Sequence, residues 1–130
     1  MIVADTNVVL RVLVRDDEKQ EAQVLDVIAR EGVLVLDSVL LEARWVMEGF
    51  YGMSREKIAA GLVALLTSAE VEAESPYMVK AIQWYGAGMD FGDAVILAGA
   101  NRHGADTLVT FDKAFIKKAK GKTSCAVRQP

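Results

Sequence analysis

The chain predicts an α/β fold with a mainly parallel central sheet of four to five strands, flanked by helices. Three observations predict it. Short apolar runs alternate with longer helical segments, the signature of a parallel sheet covered by crossover helices. Val33-Leu34-Val35-Leu36 is apolar throughout, as a strand buried on both faces should be. Met1-Ile2-Val3-Ala4 ends at Asp5, where a helical pattern begins. A strand there delivers a carboxylate to the rim at which open α/β sheets bind ligands.

The elements follow in order. Ile2 to Ala4 read as the first strand, and Asn7 to Val14 as a short helix capped by Thr6 or Asn7. Asp16 to Arg30 form a helix with Val24, Leu25 and Ile28 on one face, ended by Gly32. After the second strand, Asp37-Ser38 offers an N-cap for a helix to about Tyr51, broken by Gly52. Ser54 caps a helix carrying Ile58, Leu62, Leu65 and Leu66. Val71 to Ala73 read as a weak strand, and Ser75-Pro76 places serine at an N-cap and proline at the first helical position. Asp90 opens a helix through Ala94, Ile96, Leu97 and Ala100 that closes at Gly104. Thr107 to Thr110 form a strand, Asp112 caps a last small helix, and residues 124–128 add an edge strand. No repeat, linker or low-complexity stretch divides the 130 residues, so a single domain over 1–130 is expected.

Composition narrows the function. Hydrophobic residues make up 52% and charged residues 25%, as in a globular chain. No apolar run approaches the roughly 20 residues of a membrane span. Met1 to Asp5 has no basic leader, and Cys125 alone forms no internal disulfide, so a cytoplasmic location is expected. The net charge of −3 argues weakly against a nucleic-acid partner, but its distribution is uneven. After Asp112 no acidic residue occurs, while Lys113, Lys117, Lys118, Lys120, Lys122 and Arg128 follow. This is either a solvated tail or an edge that meets phosphates.

Several acids stand in apolar surroundings. Glu42 lies within Val39-Leu40-Leu41-Glu42-Ala43-Arg44-Trp45-Val46. Helical spacing puts it on a stripe with Val39, Trp45, Val46 and Gly49, facing the core side, while Arg44 and Glu48 mark the exposed face. Asp93 shares a stripe with Ile96, Leu97 and Ala100, and Asp90 lies one turn earlier on the same face. Asp112 follows a strand, as Asp5 does. Singly, each has a plain structural role. Asp5, Asp90 and Asp112 suit N-caps, and Glu42 suits an ion pair with Arg44 or Arg11. Together they converge on one rim, where neighbouring carboxylates repel unless a cation intervenes. Oxygen-only ligands favour Mg²⁺ or Mn²⁺. There is no Cys/His cluster for zinc. His103 reads as a surface residue, so a Ser-His-Asp or Cys-His mechanism has no base. No glycine-rich phosphate loop is present.

Asp5-Thr6-Asn7-Val8-Val9-Leu10-Arg11 resembles the opening motif of PIN-domain ribonucleases, especially the VapC-type toxins of toxin–antitoxin systems. Val39-Leu40-Leu41-Glu42 resembles the helix carrying the second acid, Asp90-Phe91-Gly92-Asp93-Ala94 the third motif, and Val109-Thr110-Phe111-Asp112 the fourth. The resemblance runs from Met1 to about Phe115, although residues 52–75 carry no recognisable motif. It implies a three-layer PIN-like fold, metal-dependent RNA cleavage, a homodimer, and an antitoxin that blocks the acidic pocket.

The expected site follows. Asp5, Glu42, Asp93 and Asp112 are the catalytic metal-holding set, with Asp90 as a further ligand or outer support. Asn7 and Thr110 are candidates for orienting a carboxylate or water, and their alternative is local turn bonding. Arg11, Arg15 and Lys113 are candidates for the RNA backbone. Trp45, Phe50, Tyr51 and Trp84 are divided between partner surface and core. Other readings stay open. A dehalogenase-like phosphatase would need an aspartate where Asn7 stands. A receiver-like signalling domain could use Asp37 as phosphoacceptor with Lys113, but leaves Glu42 and Asp93 without a role. A catalytically silent protein-binding module would be expected to have lost an acid.

Overall fold

Val33-Leu34-Val35 becomes the middle strand of a parallel sheet, and two of its three side chains are only 1% exposed. In the computed structural model, which describes residues 1–130, the chain runs β1 (Ile2–Val3), α1 (Thr6–Val14), α2 (Glu18–Glu31), β2 (Val33–Val35), α3 (Asp37–Gly49), α4 (Arg55–Leu66), β3 (Val71–Ala73), α5 (Met78–Gly86), α6 (Phe91–Arg102), β4 (Thr107–Val109), α7 (Lys113–Ala119) and β5 (Ala126–Arg128). Strand β2 pairs in parallel with β1 on one side and β3 on the other. Strands β4 and β5 form a separate parallel pair. The fold is the mixed α/β type expected, but its sheet is smaller. Four to five continuous strands are replaced by three plus two. The reason lies at β1, which is two residues long because Asp5 already caps α1. So short a strand makes a ladder with β2 and none with β4.

Two apolar clusters hold these pieces. The larger gathers 19 buried residues from β2, β3, Ala4 just after β1, and α1, α3, α4, α5 and the start of α6. The smaller gathers nine, among them Ala94, Leu97, Leu108, Phe115 and Cys125, and seats α6, α7 and the β4–β5 pair. Leu40, Ile58, Leu62, Ile82 and Leu97 are all 0% exposed. Burial of each stabilises the fold by about 1.5–3 kcal/mol. Helices α4 and α5 close tightly at Gly86, where a Cβ would lie 2.8 Å from the Cβ of Ala59.

The buried stripe of α3 differs from the expected one. Val39, Leu40, Ala43 and Met47 face the core, whereas Glu42 and Gly49 are exposed and Trp45 is 68% exposed. Arg44 is not on a free face either: it pairs with Glu48 at 3.1 Å and sits over the ring of Phe91. A tryptophan at the surface and an arginine laid on aromatic rings invert the reading from hydrophobicity alone. On α6, Leu97 is buried but Ile96 is 55% exposed, so Asp93 borders the core-facing side without sharing a stripe with Ile96. Four helix starts also shift. Asp5, not Thr6 or Asn7, caps α1, and α2 begins at Glu18 after Asp17, not at Asp16. The starts of α3 and α5 move as well. Leu36, not Asp37 or Ser38, precedes α3, and α5 begins at Met78 after Tyr77, not at Pro76. The residues displaced from capping serve each other. The Ser75 hydroxyl donates to Asp37 Oδ2 at 2.6 Å, and Glu74 Oε1 accepts from the Asp37 backbone N–H at 2.8 Å.

Candidate metal centre

Three of the five acids are helix caps. Asp5 Oδ1 accepts from the Val8 N–H at 3.0 Å. Asp90 Oδ2 accepts from the Asp93 N–H at 3.1 Å. Asp112 Oδ1 accepts from Ala114 and Phe115 N–H at 2.9 and 3.1 Å. Capping explains why aspartate suits these positions, because a short side-chain oxygen satisfies first-turn N–H groups. It engages one oxygen per carboxylate, so each keeps the other free of protein hydrogen bonds. Capping and metal binding are therefore compatible. Thr110 Oγ1 accepts from the Asp112 N–H at 3.0 Å, tying Thr110 to the cap turn. The side chain of Asn7 makes no protein hydrogen bond and lines a hollow of about 310 Å³ with Asp5, Thr6, Ser38, Val39 and Glu42.

The structure thus brings the acids together as a pair and a trio. Asp5 and Glu42 share the hollow. Asp93, partly buried, has its carboxyl pushed up from the usual carboxylate range, chiefly by loss of water and further by the charges of Asp90 and Asp112. The two groups sit on neighbouring elements: the Arg44 guanidinium, two residues past Glu42, lies 5.3 Å from the ring centroid of Phe91, between Asp90 and Asp93. No three acidic, histidine or cysteine side chains close around one point, so the expected single cage is not preformed.

The donor set nevertheless suits a hard divalent cation. All five donors are carboxylates, and none pairs with a cationic side chain. The ion pairs run instead from Arg11 to Asp16, Arg15 to Glu21, Arg30 to Asp26 and Arg44 to Glu48. Uncompensated acids beside a partly desolvated one are what a cation relieves. Among the backbone candidates, Arg11 is also held by Gln20, and Arg15 is bound to Glu21 at 3.0 Å. Lys113 is unpaired.

A family model for the PIN domain matches residues 2–121. The chain belongs to the PIN domain family. No curated protein and no solved structure matches it significantly. PIN domains are generally metal-dependent nucleases, and membership assigns this chain a nuclease-type function on nucleic acid. No helix is long and apolar enough to cross a membrane.

Sequence reasoning missed the supports of this PIN domain. Arg55 donates to the carbonyls of Tyr85 at 2.8 Å and Met89 at 2.6 Å, and lies 4.5 Å from the Tyr85 ring centroid. Those carbonyls bracket the turn that delivers Asp90. The Tyr85 hydroxyl donates to Glu48 at 3.3 Å, and burial first, then Glu48, pushes its pKa up. Nothing local in the sequence signals Arg55, because its partners are backbone atoms 30 and 34 residues away. Arg55→Met keeps much of the packing and removes both charge-assisted hydrogen bonds. A loss of about 2–3 kcal/mol in denaturant unfolding is expected. Nuclease activity should fall about 10–100-fold at temperatures where the variant is folded.

Proposed function

We propose that this PIN domain, a single unit over residues 1–130, is a Mg²⁺- or Mn²⁺-dependent endoribonuclease. In this reading it is the VapC-type toxin of a type II toxin–antitoxin pair and acts in the cytoplasm. The observation that carries the proposal is five carboxylates without a cationic partner, delivered by the starts of α1, α6 and α7 and by α3. Asp5, Glu42, Asp93 and Asp112 would hold the metal, with Asp90 beside them. When bound, such a metal acidifies a water and offsets charge on the scissile phosphate. The protein's part is placement. The caps fix Asp5, Asp90 and Asp112 on helix ends, and Thr110 holds the turn of Asp112. Asn7, free beside Asp5 and Glu42, is placed to orient a water or phosphate oxygen. Setting Asp5, Glu42, Asp93 and Asp112 aside, 14 acidic residues stand against 15 basic ones. The net acidity is then that of the site, which bound metal neutralises.

A homodimer and an antitoxin complete the proposal. Leu41 and Trp45 of α3, with Phe50 at 80% exposed, supply apolar surface for a protein partner. Trp84 is half-buried against the smaller core cluster and does not join them. Nothing favours the receiver-like alternative: Asp37 Oδ2 takes the Ser75 hydroxyl and Oδ1 is buried, so the phosphoacceptor would be closed off.

Purified protein incubated with total RNA should cut it with Mn²⁺ and leave it intact with EDTA. Equal cleavage in both would remove the metal, and none in either would remove the nuclease.

A further inference from the structure

Phe111 is the most exposed large apolar side chain of the protein at 81%, and it stands immediately before Asp112. A hydrophobic residue just ahead of a helix cap ordinarily packs back onto the first turns of that helix. Phe111 does not. Thr107 and Val109 are exposed on β4 at alternate positions leading to it, and Val109 is 53% exposed. Val109 lies in register with Arg128 of β5, and the Thr110 N–H donates to the Arg128 carbonyl at 3.0 Å. Beyond Phe111, Lys113 and Lys117 stand one turn apart on α7, and Lys118 Nζ reaches close to Gly88, two residues before Asp90. None of these cations has a carboxylate partner, whereas the four ion-paired arginines all lie in the first half of the chain.

An exposed aromatic ring flanked by uncompensated cations is the combination by which proteins hold single-stranded nucleic acid. The ring stacks on a base and the cations follow the phosphates. Duplex RNA, with its bases already stacked, has no face to offer. We propose that Phe111 is a stacking platform for one unpaired base of the RNA, with Arg128, Lys113 and Lys117 along its backbone. The strand then passes the acids from the Asp112 side. The charge favours a polyanion over an apolar protein surface. The proposal rests on the reading of the protein as a ribonuclease.

The test is fluorescence anisotropy with a short labelled single-stranded RNA, in EDTA so that nothing is cut. Phe111→Ala should weaken binding about tenfold, within the span measured for single base–aromatic stacks, and leave the melting temperature unchanged. Phe111→Trp should restore binding, and its added emission should be quenched by the RNA. Arg128→Gln should lower the salt dependence of binding by about one counterion. Binding by Phe111→Ala equal to wild type overturns the platform, as does an equal loss against duplex RNA. Mn²⁺-dependent cleavage by the wild type is followed in parallel. Cleavage with Phe111-independent binding sinks the platform alone. Phe111-dependent binding without cleavage sinks the nuclease and leaves the platform.

Discussion

Asp5→Asn is expected to lower metal-dependent RNA cleavage by more than about a hundredfold, beyond what residues outside the metal's direct ligands typically cost, with the fold intact. The substitution separates two roles of Asp5, which caps a helix and, in the proposed reading, holds metal as well. Its Oδ1 caps α1 through the Val8 N–H. Asparagine caps about as well as aspartate, so helix stability should change little. What asparagine lacks is the negative charge in the hollow shared with Glu42. Circular dichroism and thermal melting should match wild type while cleavage disappears. Asp5→Ala is the complementary control. It should lose activity to the same extent and also about 1 kcal/mol of stability with the cap. Undiminished cleavage by a folded Asp5→Asn protein would refute the assignment of Asp5 to the metal.

The same duality explains how much of the site was legible in the sequence. Asp5, Asp90 and Asp112 could be placed at element starts because capping chemistry and the neighbouring apolar runs mark those positions. Glu42 is different. Its element was readable and its facing was not, since Trp45 looks like core and is exposed, while Arg44 looks like surface and lies over Phe91. Hydrophobic periodicity assumes that side-chain type predicts burial, and α3 breaks the assumption twice. The strands were findable as apolar runs, but a pairing of two or three residues leaves no pattern that tells a continuous sheet from a split one. Ser75 and Asp37 each looked like a cap. They bond one another across 38 residues, a choice made by tertiary packing. The supports around Arg55 and Tyr85 are contacts distant in sequence of the same kind.

Asp93→Asn should make the metal-free protein more stable while removing its activity. Asp93 loses water, faces Asp90 and Asp112, and its pKa is raised from 3.8 in the folded state. An acid whose folded pKa lies above its unfolded value binds its proton more tightly in the native chain. Stability therefore falls as pH rises from the unfolded pKa through the folded one, and the full cost remains at neutral pH. Asparagine removes that cost. It also forfeits an anion in the first turn of α6, an interaction with the helix dipole of about 0.3–1 kcal/mol. The raised pKa means that desolvation and like charge prevail over such favourable terms. The gain should be modest because Asp93 is only partly buried. A rise of a few degrees in Tm at pH 7 is expected, as about 1 kcal/mol produces in a domain of this size. The difference from wild type should shrink as pH falls toward 3.8. Divalent cations should reverse the ranking. Mn²⁺ bound to the folded carboxylates would stabilise wild type by RT ln(1 + [Mn²⁺]/Kd), and the variant should gain less. Melting both proteins in EDTA and in Mn²⁺ reads out each sign separately. If Asp93→Asn is less stable in EDTA, or gains as much from Mn²⁺ as wild type, then Asp93 is a structural carboxylate and not part of the metal centre.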